Sequence, residues 1–122
     1  MGTRLPSRRI VHRIVLNRQS KMFLIAGPCA IENKDIVFTT AETLKRVCED
    51  LQIHLFFKSS FDKANRTSNS LRGVGMDEGL NILQQVKQQF QLPILTDVHE
   101  SWQCEPVAQV ADVLQIPAFL CR

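Results

Sequence analysis

The sequence predicts an α/β fold built on a parallel sheet. Short, wholly apolar runs alternate with amphipathic stretches in the order β-α-β-α-β-α-β. The apolar runs lack the in-out alternation of a half-solvated antiparallel strand, so they read as strands covered on both faces. Each run ends in polar or conformationally unusual residues, and ligand sites of parallel α/β folds lie at the carboxyl ends of the strands.

The elements follow in order. Met22-Phe23-Leu24-Ile25-Ala26, stopped by Gly27-Pro28, is the first strand, expected to be buried on both faces. Asn33 or Asp35 can cap a helix in which Ile36, Thr40, Leu44, Val47 and Leu51 recur at helical spacing. Ile53 to Phe57 is the second strand, followed by a long polar stretch over 58–76 of the kind that often carries function. Asp77 starts a second helix with Leu80, Leu83, Val86, Lys87 and Phe90 along one side. Pro93 to Thr96 is the third strand, running into Asp97-Val98-His99-Glu100. A third helix is expected from Ser101 to about Val110, then a fourth strand at Val113 to Ile116 and a loop from Pro117 to Arg122. A (β/α)8 barrel typically needs about 250 residues. The 122 residues here stop just after the fourth strand, so the expectation is the first half of a TIM barrel, with about four parallel strands and three helices.

Composition narrows the class. Hydrophobic residues make up 44% and charged residues 22% of the chain, ordinary values for a soluble globular protein. No apolar run approaches the roughly 20 residues of a membrane span, so no membrane role is expected. Residues 1–21 hold six basic residues and no acid, although the whole chain carries +3. The remainder holds nine basic against twelve acidic residues, a net of −3, which argues against a general nucleic-acid surface. The basic head is open to three readings: a hairpin strand at Ile10 to Leu16, a targeting-like segment, or an extension upstream of a start at Met22. The four cysteines form no C-x-x-C pair, and reduced thiols in a cytoplasmic protein are expected.

The chemistry concentrates in Lys58-Ser59-Ser60-Phe61-Asp62-Lys63-Ala64-Asn65-Arg66-Thr67-Ser68. A strand ending in two lysines, an asparagine, an arginine and hydroxyls is poor core material and well suited to an anionic, hydroxylated small molecule. Gly73-Val74-Gly75 and Gly79 lack the G-x-G-x-x-G spacing and follow a polar loop, so no dinucleotide site is expected. His12 and His54 read as structural or solvated, Trp102 as a packing residue, and Cys48, Cys104 and Cys121 as buried or partly buried thiols.

Four segments together resemble the 3-deoxy-D-manno-octulosonate 8-phosphate synthase family: Ala26 to Glu32, Phe57 to Arg66, Thr96 to Glu100, and Leu114 to Arg122. They occur in the family's order, from about Leu24 onward. Val74 stands where the family usually has proline. The resemblance implies a (β/α)8 barrel that condenses phosphoenolpyruvate with arabinose 5-phosphate for lipopolysaccharide, as a homotetramer. It implies that Lys58, Lys63, Ser60, Gln115, Ala118 and Arg122 line the phosphoenolpyruvate site. Asn65, Arg66 and Thr67 would then face arabinose 5-phosphate, with Pro117 and Phe119 shaping the walls. Lys63, Asp97 and His99 match active-site positions, with Lys63 and His99 as candidates for proton handling. Cys29 matches the cysteine branch, in which a thiolate helps bind a divalent metal such as Zn²⁺, Fe²⁺ or Mn²⁺. Its remaining ligands would lie in the later half of the barrel. On its own, a cysteine after Gly-Pro is more often a small buried hydrophobe. Two alternatives stay open: the related heptulosonate-phosphate synthase using erythrose 4-phosphate, and an inactive fragment.

Overall fold

A computed structural model describes residues 22–67 and 72–121. The basic head, 68–71 and Arg122 lie outside the described residues. Strand β1 is Phe23–Ala26, helix α1 Lys34–Asp50, strand β2 His54–Lys58 and helix α2 Met76–Phe90. Strand β3 is Ile94–Asp97, helix α3 Cys104–Ala108 and strand β4 Val113–Gln115. The four strands form one sheet in the order β1-β2-β3-β4, every pair parallel. Parallel neighbours cannot be joined by a tight hairpin, and here each is reached by a helical crossover. Sequential order with no reversal is the arrangement of four consecutive βα units in a barrel wall, as the sequence predicted.

The register decides which side chains share a face, because paired residues of parallel strands point the same way and alternate along the strand. Phe57 pairs with Ile94, and Thr96 with Leu114. Phe57 and Ile94 belong to the apolar cluster with Val37, Leu83 and Val86 from the helices, and Leu114 packs against it. Lys58 pairs with Leu95, and Asp97 with Gln115. These four occupy the opposite face, turned away from the helices.

Asn33 resolves the choice of cap: its side chain accepts a hydrogen bond from the Ile36 amide at 3.0 Å. Of the expected α1 stripe Leu44 packs against the core, but the fully buried positions fall one residue later. Val37, Ala41 and Cys48 are buried, while Ile36, Val47 and Leu51 are exposed. Both stripes have helical spacing, and only contact with α2 and the sheet selects between them. Phe38 of α1 meets Phe90 of α2 edge-on at 5.7 Å. Helix α2 buries Leu80, Leu83 and Val86 as expected, and starts one residue early.

Other expectations need correction. β1 is not buried on both faces: Phe23, Leu24 and Ile25 are 39%, 39% and 45% exposed, because among the described residues β2 is its one neighbouring strand. The third helix is a 3-10 turn over Ser101–Gln103 followed by the short α3, since Pro106 has no amide hydrogen to donate within the helix. Ile116 lies beyond β4 and is 62% exposed. Trp102 is exposed and does not pack as expected, and Cys104 and Cys121 are exposed thiols; Cys48 alone is buried.

One buried polar cluster ties the lower end of the sheet together. Asp112 accepts from Lys87 Nζ at 2.9 Å and from the Ile94 amide at 2.8 Å, and its own amide donates to the Ile94 carbonyl at 2.8 Å. Lys87 Nζ also donates to the Val110 carbonyl at 2.9 Å. Thus α2 is linked to the starts of β3 and β4. The side chains of Lys87 and Asp112 are largely buried, and removing one partner strands the other charge. Asp112→Ala is expected to cost roughly 3–5 kcal/mol, read as a shift in the midpoint of chemical denaturation; a loss within measurement error would show that the cluster adds nothing.

Candidate functional site

The carboxyl ends of the strands are stitched sideways into one rim. Beyond β1 and β2, Ala30 bridges Ser60 in parallel, with the Ile31 amide donating to the Ser60 carbonyl at 2.9 Å. Ser59 Oγ donates to the Pro28 carbonyl at 2.6 Å, and Thr96 Oγ1 donates to the Ser59 carbonyl at 2.8 Å. The Val98 amide donates to the Gln115 carbonyl at 3.0 Å. Gly27 permits the tight approach of β1 to β2, since a Cβ there would collide with the Lys58 carbonyl.

On this rim a cleft of about 310 Å³ opens between Lys58, Lys63, Asn65, Arg66, Asp97, His99, Gln115, Pro117, Ala118 and Phe119. All ten were singled out in the sequence, although they come from three strand ends and the following loops. Lys58, Asp97 and Gln115 arrive through the register of β2, β3 and β4. Pro117, Ala118 and Phe119 arrive through a 3-10 turn over Ala118–Leu120 where an irregular loop was expected.

The remaining candidates fall around the cleft. Ser60 is fully buried behind it, and its Oγ accepts from Lys63 Nζ at 2.8 Å, so the hydroxyl orients the lysine. Thr67 is exposed and does not line the cleft. Cys29 is an exposed thiol that also does not line it, but Arg66 Nη2 donates to its sulfur at 3.7 Å, linking it to a lining residue. Arg122 lies outside the described residues. Among the described residues no three His, Cys, Asp or Glu side chains gather as a metal site.

Asp97 and His99 form a largely buried part of the cleft. His99 Nε2 lies 2.9 Å from Asp97 Oδ2, and the side chains are 7% and 8% exposed. The other polar atom of each, Asp97 Oδ1 and His99 Nδ1, is buried with no hydrogen-bond partner among the described residues. A buried polar atom without a partner costs free energy, which a bound polar ligand or water recovers.

Two residues missed in the sequence hold this pair. The ring of Phe61 meets the His99 imidazole edge-on at 5.9 Å and is itself 1% exposed. Gly79 of α2 lets the helix close over Phe61, because a Cβ there would overlap the Phe61 Cβ. Gln103 is buried beneath the turn after β3 and accepts from the His99 amide at 2.8 Å. Phe61 sits inside the polar motif, where its neighbours drew attention away from its packing role. The loop over 58–76 is braced by Asp62, which accepts from Arg72 Nε at 2.7 Å and Nη2 at 3.2 Å. Asp62 raises the pKa of the Arg72 guanidinium by hydrogen bonding and by charge.

The family model described as "DAHP synthetase I family" matches residues 7–122. The match reaches into the basic head, which the motifs alone do not. The "2-dehydro-3-deoxyphosphooctonate aldolase" of Campylobacter jejuni strain 81-176 is 66% identical over 103 residues, 84% of this chain and 38% of that protein. The protein of the same name from Fusobacterium nucleatum is 50% identical over 113 residues, 92% of this chain and 41% of its own length. That from Magnetococcus marinus is 57% identical over 102 residues, 83% of this chain and 36% of its own. The chain therefore spans about two fifths of the length of these relatives.

Phe61→Ala would empty a fully buried site between α2 and His99. The expected loss is about 3–5 kcal/mol of stability, measured by thermal or chemical denaturation; a loss below about 1 kcal/mol, the scale of an ordinary surface change, would show that Phe61 is not the support of this wall.

Proposed function

The chain belongs to the DAHP synthetase I family, and from that premise we propose that its residues serve an aldol-type condensation of phosphoenolpyruvate with D-arabinose 5-phosphate and water. The products are 3-deoxy-D-manno-octulosonate 8-phosphate and inorganic phosphate, the sugar acid being destined for lipopolysaccharide. The name of the relatives describes the same octonate phosphate from the side of cleavage. The observation that carries the reading is the convergence of Lys58, Lys63, Asn65 and Arg66 with Gln115 and the 117–119 turn on one cleft. Both substrates are small phosphorylated anions, and a cleft with three cations against one carboxylate suits them.

In the proposed reaction, C3 of phosphoenolpyruvate forms a bond to the aldehyde carbon, and water adds at C2. The C2–O bond to phosphorus's ester oxygen breaks, so phosphate leaves with that oxygen. Of the two protons of water, one ends on the former aldehyde oxygen and one on phosphate. Lys58 and Lys63 offset the carboxylate and phosphate charge of phosphoenolpyruvate, with Ser60 holding Lys63 in place. Arg66 and Asn65 suit the phosphate and hydroxyls of the sugar. Lys63 and His99 are the groups proposed to move protons, with Asp97 orienting His99.

Cys29 is proposed as one ligand of a divalent metal. Its thiol is exposed at the end of β1, near a lining cation, which fits a ligand better than a buried hydrophobe. The described residues supply no complete ligand set around it, so the other ligands would come from elsewhere. Such a metal would act as a Lewis acid or template for the aldehyde or water. A cytoplasmic homotetramer is proposed for the assembled protein. No helix among the described residues is long and apolar enough to cross a membrane.

A second reading is favoured by the family description itself, which names a heptulosonate synthase. The sugar aldehyde would then be erythrose 4-phosphate. Competition between the two sugar phosphates for consumption of phosphoenolpyruvate decides between them.

The test is phosphate release by the full-length protein carrying these residues, given phosphoenolpyruvate, arabinose 5-phosphate and Mn²⁺ or Zn²⁺. Release is expected to require both substrates and to stop with a chelator; release without the sugar phosphate would overturn the condensation, and indifference to chelator would remove the metal from Cys29. Lys63→Ala is expected to lower kcat by at least about a hundredfold, on the scale of a lost preorganised cation and proton donor; near-normal turnover would remove Lys63 from the reaction.

A further inference from the structure

We propose that Gln103 is a positioning residue for His99, an inference that rests on the cleft being the site of the condensation. Two consecutive amides after β3, those of His99 and Glu100, donate to the single Oε1 of Gln103 at 2.8 and 3.2 Å. The return contact closes the box: the Gln103 amide donates to the Glu100 side chain and, at 3.1 Å, to the Glu100 carbonyl. Gln103 is 8% exposed, so this arrangement is shielded from competing water.

The chemistry of the turn explains why an amide oxygen belongs there. The start of a helical turn leaves backbone N–H groups without partners, and burial makes each one costly. A capping side chain usually serves one of them; Gln103 reaches back over three residues and serves two, one of them on the residue that carries the imidazole. The ring is then fixed from three directions. Gln103 holds its backbone, Asp97 Oδ2 lies 2.9 Å from Nε2, and the Phe61 ring closes one side. What remains is Nδ1, buried and without a protein partner among the described residues. The position and orientation of the ring are thereby fixed, the pre-organisation asked of a group that takes part in chemistry.

Packing alone predicts a different outcome from hydrogen bonding, so two substitutions separate them. Gln103→Met keeps length and approximate volume and removes the acceptor. Gln103→Glu keeps an acceptor oxygen for the two amides. Both are made in the full-length protein, and each is followed by phosphate release and by NMR of the His99 imidazole. The Met variant is expected to lose roughly tenfold or more in kcat, with KM for both substrates changed less than about threefold, and to show a shifted or broadened His99 ring signal. The Glu variant is expected to restore both readouts towards wild type. A Met variant with wild-type kcat and ring signal overturns the proposal, as does equal loss in both variants or a rise in KM alone. If the unsubstituted protein releases no phosphate, the condensation reading fails by itself. The ring signals of the two variants then judge Gln103 independently, and an unchanged signal in the Met variant rejects it.

Discussion

Everything in this chain that bears on chemistry depends on the register of its parallel strands. Parallel pairing brings every strand end to one rim, and the sequential strand order with crossovers of one hand puts the helices on one face. Within that frame the pairing of Lys58 with Leu95, and of Asp97 with Gln115, fixes which face each polar side chain reaches. A slip of one residue would turn Lys58, Asp97 and Gln115 into the apolar layer beneath the helices and bring Phe57 and Thr96 out. The register is held by buried pairs on the helix side, apolar Phe57 with Ile94 and Thr96 with Leu114, and at the far end by Asp112 gripping Ile94. The core therefore supplies the precision that the polar face needs.

Much of this was legible in the residues. Four mainly apolar runs with helical stretches between them leave few choices but a parallel sheet, and polar strand ends mark the rim where ligand sites of such folds lie. The polar motif from Lys58 to Arg66 could be read directly because so many cationic and amide groups after one strand are poor core material. What could not be read was any property set by a neighbour distant in sequence. Ile36 and Val37 are equally apolar, and only the placement of α2 buries the second. Phe23 to Ala26 looks like an interior strand, yet among the described residues only β2 lies beside it. Phe61 and Gln103 are inconspicuous in sequence because their partner, His99, lies across the fold from one and is met by the other through a backbone amide.

The support of the site is also graded. Asp97 and His99 are held by buried groups on three elements: β3, the loop after β2 closed by Gly79 of α2, and the turn stabilised by Gln103. Asn65 and Thr67 lie on the exposed part of the loop after β2, whose ends are braced by the Asp62–Arg72 pair and by the Lys63 amide donating to the Arg72 carbonyl at 2.6 Å. An exposed ion pair adds little to stability, but here it closes a loop, and its effect falls on the position of the loop. The Asp97–His99 pair is thus held from several buried elements, whereas Asn65 and Thr67 stand on an exposed stretch of loop.

Charge follows the same division between the whole and the site. Residues 22–122 carry a net −3, whereas the cleft is lined by Lys58, Lys63 and Arg66 against the single carboxylate of Asp97. A uniformly basic surface would attract every polyanion, including nucleic acid. A cationic recess in a mildly acidic body confines the favourable potential to one concave place, where low-dielectric walls focus it. Only an anion small enough to enter the recess gains from it. The two lysines there are placed by different tethers: Lys58 is the last residue of a paired strand, and Lys63 is drawn towards Ser60 Oγ. Two cations held from different backbone elements match two anionic groups at a fixed separation better than two on one flexible loop would, and the phosphoenolpyruvate proposed above carries its carboxylate and its phosphate on one carbon.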